Sequence, residues 1–460
     1  MGMPHVPEWG GWLPVLALTL PWLLFLLLRT VKPRAAPNGF HRRGAVLESQ
    51  SQARRRIGRA RRRWSERRLT LAGVALSPQD ETKHFKLIGT TGTGKSTAIR
   101  ELLRGALRRG DRAVLADPDG GNLALFHDRY RGDTVLNPFD ARSAGWSPFG
   151  EIRNPFDIDQ LACGLIPACG DPAALEWRGY ARTFLAAVLR GCLDRGRIQT
   201  GELWRLLAMA PGKELRPFVM NTPAQPFLEA ENARMFGSIR SVMISAVSAL
   251  KYVQEQRGRA FSIRDWVRRG RGVLFIPYDA GQIAALHSII ATWMRLAIFE
   301  AMSDAGGDRR LWFVIDELDA LGAIDGLKDA LARLRKFGGR CVLGFQSLSQ
   351  VSSTYGAGEA QTIVENCGNT LVLRCSGSDH GGTASFASRL IGERELVRRQ
   401  TSRGRDRDGL WGGRHVRRSV NVSDQHVTEA AVLPSEIEQL ADLHGFLKTA
   451  SSPLWMRVVV

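Results

Sequence analysis

The sequence predicts a doubly wound α/β fold interrupted by an all-helical insert. Three observations carry this reading: short apolar runs that end in turn chemistry, a Gly-rich loop joining one such run to an amphipathic helix, and a central interval with helical periodicity only. The apolar runs are residues 83–88, 113–116, 134–136, 272–276, 311–315, 340–345 and 370–373. Their near-continuous hydrophobicity marks strands buried on both faces of a sheet. Residues 177–193, 201–209 and 233–253 instead place apolar side chains at i, i+3 and i+4, which predicts helices throughout the insert. A final strand is expected from Trp455 onward.

Residues 85–97 read Phe-Lys-Leu-Ile-Gly-Thr-Thr-Gly-Thr-Gly-Lys-Ser-Thr, an apolar strand running into a Gly-x-x-x-x-Gly-Lys-Ser loop. Gly89, Gly92 and Gly94 allow tight turns with N–H groups directed inward, where a Cβ would collide with a triphosphate. The loop Gly89, Thr90, Thr91, Gly92, Thr93, Gly94, Lys95, Ser96 and Thr97 is therefore the expected nucleotide-binding element. Lys95 supplies a point charge to the β- and γ-phosphates of ATP, and Ser96 offers its hydroxyl to Mg²⁺. Ile99, Leu102, Leu103, Ala106 and Leu107 line one face of the helix that follows, so its positive N-terminal end aims at the anion.

A second apolar strand, Leu-Trp-Phe-Val-Ile, ends in Asp316 and Glu317. An acidic pair at a strand end is by itself also a common solvated terminus. Coupled to the upstream loop it becomes a phosphoryl-transfer pair, with Asp316 holding Mg²⁺ and Glu317 polarising the attacking water. The strand over 340–345 ends in Gln346, expected beside Asp316 to sense the γ-phosphate, because ligands gather at the carboxyl ends of parallel strands. A surface amide capping a loop is the competing reading for Gln346. Between these strands a helix over 327–337 carries Arg333, Arg335 and Lys336. One of them acts as an arginine finger in trans, or all three belong to an ordinary solvated face.

At 460 residues the chain has room for two or three domains, and its net charge of +19 excludes an ordinary acidic cytosolic enzyme. Residues 1–70 carry 14 Lys/Arg against 3 Asp/Glu, leaving +8 for the remainder. Cys163, Cys169, Cys192, Cys341, Cys367 and Cys375 form no C-x-x-C pair and read as reduced core residues. From Trp9 to Leu28 the only polar side chain is Thr19, which predicts one membrane-spanning helix. Basic residues begin after it, at Arg29, Lys32 and Arg34, so everything downstream is expected in the cytoplasm of a single-pass protein of the bacterial inner membrane. The Arg-rich run 53–68 has two readings, a clamp on anionic headgroups and a nucleic-acid contact. Residues 404–418, Gly- and Arg-rich without periodicity, are expected to form a mobile basic loop. The expected organisation is a transmembrane anchor over 1–30, a basic juxtamembrane segment over 31–70, a nucleotide-binding domain over 71–155 and 269–460, and the all-α insert over 156–268.

Beyond Lys83 the chain resembles the membrane-bound coupling ATPases of conjugation and type IV secretion, the TraD/TrwB group. The resemblance rests on the phosphate loop, Asp117-Pro-Asp-Gly120, Leu136-Asn-Pro-Phe-Asp-Ala-Arg-Ser-Ala-Gly-Trp146, Phe313-Val-Ile-Asp-Glu-Leu318, Gly344-Phe-Gln-Ser-Leu-Ser-Gln350 with Tyr355-Gly356, and Leu433-Pro-Ser-Glu-Ile437. It implies a RecA-like core related to the FtsK/HerA motors, a homo-hexameric ring with a DNA channel, and catalytic roles for Lys95, Glu317, Gln346 and Arg335, with Ser96 and Asp316 at the metal. It further implies single-stranded DNA, the relaxosome and the inner-membrane components of a type IV secretion system as partners. Two departures stand out: one span where relatives commonly have two, and an ending at Val460 where many carry a long tail, which moves partner selection to the helical insert.

The leading expectation is an ATP-driven coupling protein that recruits a relaxase-DNA substrate and drives single-stranded DNA into the secretion channel. The alternative is a receptor for protein effectors that uses ATP as an assembly switch. A chromosome-segregation pump is disfavoured because no winged-helix module follows the core, and no Ser-His-Asp, Cys-His or metal-hydrolase spacing supports a nuclease.

Overall fold

The computed structural model describes residues 40–60, 68–167, 172–303, 310–377, 382–407 and 416–460. The expected span at 9–28, part of the Arg-rich run and Cys169 lie outside the described residues. The described residues fall into two compact units: 40–44 with 393–429, and 45–392 with 430–460. In chain order the strands are β1 Phe40–Gly44, β2 Leu47–Ser49, β3 Thr70–Leu71, β4 Val74–Ala75, β5 Phe85–Ile88, β6 Arg112–Pro118, β7 Thr134–Val135, β8 Gly145–Trp146, β9 Ala260–Phe261, β10 Val273–Tyr278, β11 Leu311–Ile315, β12 Gly339–Phe345, β13 Asn369–Val372, β14 Glu393–Arg407, β15 Val416–Ala430, β16 His444–Lys448 and β17 Trp455–Val459.

The larger unit is built on one sheet of order β2-β17-β16-β13-β5-β12-β11-β6-β10-β7. From β13 to β7 every pairing is parallel. β16 runs antiparallel to β13 and β17, and β2 joins β17 in parallel. Alternate residues of each central strand enter opposite layers. Trp312 and Val314 of β11 pack with Ile99, Leu102 and Leu103 of the helix Lys95–Arg108, whereas Leu311, Phe313 and Ile315 pack with Ile289, Ile290 and Met294 of the helix Ile283–Ala301. Burial on both faces explains the unbroken apolar runs, each such side chain contributing about 1.5–3 kcal/mol. By length and hydropathy the helix Ile283–Ala301 would also cross a bilayer, but 72% of its apolar window is buried inside the protein, so it serves as the central core helix.

Between β8 and β9 the described residues form helices only: Pro155–Leu165, Pro172–Asp194, Thr200–Ala208, Gly212–Val219, Ala233–Val247 and Leu250–Val253, with single 3₁₀ turns between. The expected helix over 233–253 is therefore two helices, and Gly212–Val219 carries Pro217 inside it. Asn154 and Asp157 form a capping box at the start of the first helix. Glu151, fully buried, anchors this layer by accepting from Trp146 Nε1 (2.9 Å), Ile263 N (2.7 Å), Ser262 Oγ (3.0 Å) and Arg264 N (3.2 Å). The described cysteines are free thiols, all buried except the half-buried Cys163.

At the amino ends of the strands, His84 is buried with φ 53°. Its Nδ1 accepts from the Cys341 amide (3.0 Å), so Nε2 carries the proton donated to Leu331 O (2.9 Å). Burial pushes this imidazole down to about 4. The unfolded chain protonates it near 6.5 and the folded chain only near 4, so its neutral form supports the fold above that window and stability is lost as pH falls through it. Between neutral pH and pH ~5 the wild-type chain is expected to lose about 2 kcal/mol more unfolding free energy than the variant His84→Gln, read by urea denaturation. Equal losses would refute a neutral buried His84.

The smaller unit is the sheet β1-β14-β15. β1 pairs antiparallel with β14, Phe40 opposite Val397 and His41 opposite Leu396, with an irregularity before Arg43. This corrects the expectation of a loop over 404–418, since β14 continues to Arg407 and β15 begins at Val416, while 408–415 lie outside the described residues. The strands are held by backbone pairing and by cross-strand ion pairs, Arg394 and Arg398 to Glu429 and Arg399 to Asp424. Both faces are polar for much of their length, so neither a 3.6 nor a clear twofold period marks them.

Candidate active site

Three neighbouring strands deliver the site. β12 lies between β5 and β11, with Phe345 opposite Ile88 and Leu343 opposite Ile315, so Gly89, Asp316 and Gln346 emerge together at the carboxyl edge. The loop turns at Gly92 (φ 78°) and Gly94 (φ 115°), and a Cβ on Gly89 would lie 2.8 Å from Thr93 Oγ1. Neighbouring loops brace it: Thr90 N donates to Arg374 O (2.8 Å) and Leu443 N to Thr93 O (2.9 Å). Gly94 is the N-cap of the helix Lys95–Arg108, and no side chain caps its first turn, so the amides there point toward the cleft.

Ser96 Oγ donates to Asp316 Oδ2 at 2.6 Å, joining positions 220 residues apart. Gln346 Nε2 donates to Glu317 Oε1 at 2.5 Å. Lys95 Nζ donates to the loop carbonyls Gly89 O (2.5 Å) and Thr90 O (3.0 Å). These side chains line one 290 Å³ cleft with Thr91, Thr97 and Asp119. Burial lowers the Lys95 pKa, opposed by the carboxylates of Asp316 and Glu317. Burial raises the Asp316 pKa, opposed by the Ser96 hydrogen bond and Lys95. Gly344 permits this approach, because a Cβ there would meet Asp316 O at 2.2 Å.

The structure thus brings Lys95, Ser96, Asp316, Glu317 and Gln346 together. It does not bring Arg335 to them. Arg335 follows the helix Leu327–Leu334 and precedes β12, whose seven residues rise about 23 Å before Gln346, so within one chain it stands at the opposite edge of the sheet, exposed with Arg333 and Lys336.

Sequence reasoning missed three contributors. Asp117, buried in β6, accepts from the amides of Asn122 (3.0 Å) and Leu123 (2.7 Å), fixing the turn that places Asp119 (φ 56°) at the cleft. Burial raises its pKa, opposed by those amides. Tyr278, at the end of β10, is buried, and its hydroxyl has no hydrogen-bond partner among the described residues. Burial raises its pKa, reinforced by Glu317, Asp316 and Asp117. Leu443 (φ 66°) closes over Gly94, where a Cβ would lie 2.8 Å from Leu443 Cδ2. The Pro-Asp-Gly turn was a visible signal for Asp117; nothing local marks Tyr278 or Leu443.

A glycine cradle at a helix N-terminus, a lysine, and a hydroxyl–carboxylate pair of hard oxygen donors suit a magnesium–nucleoside triphosphate. Comparison with known proteins agrees with this chemistry. Residues 68–459 match the family model described as the type IV secretion-system coupling protein DNA-binding domain. The chain is 34% identical over 388 residues to coupling protein TraD of Escherichia coli K12, covering 82% of this chain and 52% of that protein. It is 26% identical over 378 residues to VirD4 of Rhizobium rhizogenes, covering 75% and 53%. It therefore spans about half the length of these relatives. Among solved structures, the bacterial conjugative coupling protein TrwBΔN70 in its unbound form superposes with TM-score 0.81 at 32% identity, covering 93% of this chain and 95% of that one. TrwB in complex with ADP and Mg²⁺ superposes with TM-score 0.80 at 32% identity, covering 92% and 95%. With most of its length inside the matched domain, the chain belongs to the type IV secretion-system coupling protein family.

Proposed function

We propose that this chain is a membrane-anchored coupling ATPase that hydrolyses ATP to drive single-stranded DNA from a relaxase-bound substrate into a type IV secretion channel. The observation that carries the reading is the 2.6 Å contact between Ser96 and Asp316, which joins the phosphate loop to the acidic strand end. ATP occupies the cradle from Gly89 to Thr97, with Lys95 transferring its donors from the Gly89 and Thr90 carbonyls to phosphate oxygens. Ser96 and Asp316 would hold Mg²⁺, which would supply charge neutralisation at the phosphates; the ADP and Mg²⁺ complex of TrwB supports Mg²⁺ as the metal. Glu317 orients the attacking water and takes its proton, while Gln346, bonded to Glu317, couples that carboxylate to the γ-phosphate.

In this reading the anchor spans 1–30, the basic segment 31–70 follows it, and the helical layer 156–268 is a domain inserted into the nucleotide-binding core. The working form is a homo-hexameric ring at the inner membrane with the ATPase in the cytoplasm. Arg335, remote from its own cleft, reaches the site of a neighbouring copy. The positive balance outside the first 70 residues serves phosphate contacts along a channel, which are sequence-indifferent and salt-sensitive. ATP turnover is expected to rise when single-stranded DNA is added and to lose that stimulation at high salt; turnover indifferent to DNA overturns the reading.

A further inference from the structure

The β1-β14-β15 sheet carries an amphipathic face that the ATPase site does not use. Arg399 pairs with Asp424, and Glu395 with His426, which places these residues on one side of the sheet. Strand alternation adds Arg403, Val420 and Val422 to that side, and Phe40 joins it opposite Val397. Phe40 is 73% exposed, Val420 61% and Val422 53%, and Arg399 and Arg403 are exposed beside them. The reverse side differs. It holds Gln400, Ser402, Ser419, Asn421 and Ser423, with Arg394 and Arg398 both bound to Glu429.

Aliphatic and aromatic side chains exposed among arginines mark an interaction surface, in contrast to Leu396 and Val427 of the reverse side, which are half-buried. Its position in the chain identifies the partner. The apolar stretch ends at Leu28, so Phe40 is tethered within about 40 Å of it by the eleven residues 29–39, which include Arg29, Lys32 and Arg34. A mixture of phenyl and aliphatic side chains suits the boundary between headgroups and acyl chains, whereas sequence-tolerant nucleic-acid binding stacks successive bases on several aromatic platforms, and Phe40 is the one phenyl ring among the described residues of this side. We propose that the Phe40, Val420 and Val422 face of this sheet docks on an anionic lipid leaflet, with Arg403 meeting the headgroups. The proposal rests on the membrane-anchor part of the function above and is independent of its ATPase part. Docking of this kind fixes the orientation of the smaller unit at the membrane.

Hydrogen exchange of the full chain in nanodiscs tests it. Amides of β15 are expected to exchange about tenfold more slowly when phosphatidylglycerol is added to phosphatidylcholine discs. That protection is expected to vanish in Val420→Asp/Val422→Asp and to weaken in Arg403→Gln, while exchange in phosphatidylcholine discs stays as in wild type and shows both variants folded. Equal protection in neutral discs overturns the proposal. So does protection that follows added single-stranded oligonucleotide, or protein concentration, in place of anionic lipid. Loss of the chain from the disc fraction removes the tether and overturns the proposal as well, whereas loss of ATP turnover leaves it intact.

Discussion

Replacing Glu317 with glutamine is expected to lower ATP turnover by about 10²–10⁴-fold while leaving nucleotide affinity nearly unchanged. The substitution keeps the volume of the half-buried side chain and an oxygen to accept from Gln346 Nε2, so the loop, the cleft and the Ser96–Asp316 contact remain. What it removes is the carboxylate proposed above to take a proton from water. A ground-state role would instead raise KM with little change in kcat. Steady-state kinetics with a parallel fluorescent-nucleotide titration separate these outcomes. An unchanged kcat would show that another group activates the water, with Asp119 a further carboxylate lining the cleft.

Glu81→Ala is expected to destabilise the larger unit by about 3–5 kcal/mol, read as a fall in urea midpoint. Glu81 is buried and accepts both Arg109 Nη1 and Nη2 at 2.8 Å, with Arg340 Nε at 3.3 Å. Arg109 also bonds Asp111, which accepts from Trp312 Nε1 at 2.9 Å. The cluster ties the end of the phosphate-loop helix to the starts of β11 and β12, and deleting its shared carboxylate leaves buried guanidinium charge short of partners. Asp265→Ala provides the contrast. Asp265 is 58% exposed and pairs with Arg153, so its loss is expected to cost no more than about 1 kcal/mol. Similar midpoints for the two variants would contradict a structural role for the buried cluster.

How much of this was legible in the sequence depended on whether burial left a local trace. The expected strand over 311–315 coincides with β11 because all five residues are buried, and β5, β6, β10, β12 and β13 fall within two residues of expectation for the same reason. Local chemistry also announced the phosphate loop and the acid pair. β14 and β15 gave no such trace, since most of their exposed side chains are polar and the alternation of Val420 and Val422 is too short to set a period. Gly212–Val219 was missed because Pro217 reads as a helix breaker, yet it lies in the last turn with Leu215, Phe218 and Val219 buried. Tyr278 lay just past the expected end of its strand, and Leu443 reaches Gly94 only through a loop some 350 residues downstream, a contact that sheet order alone creates. Arg335, expected either to act in trans or to belong to a solvated helix face, lies exposed across the sheet from its own cleft, a placement that no local pattern marks.

One cleft, spanning Lys95 to Gln346, is proposed here to convert ATP hydrolysis into work on single-stranded DNA. The most direct measurement is ATP turnover by the full chain at concentrations that permit ring formation, with and without single-stranded DNA, beside Lys95→Ala as the control. Turnover is expected to be stimulated by DNA, to lose that stimulation as salt rises, and to be absent from the Lys95→Ala chain. Turnover that ignores DNA, or that survives loss of Lys95, would contradict this proposal.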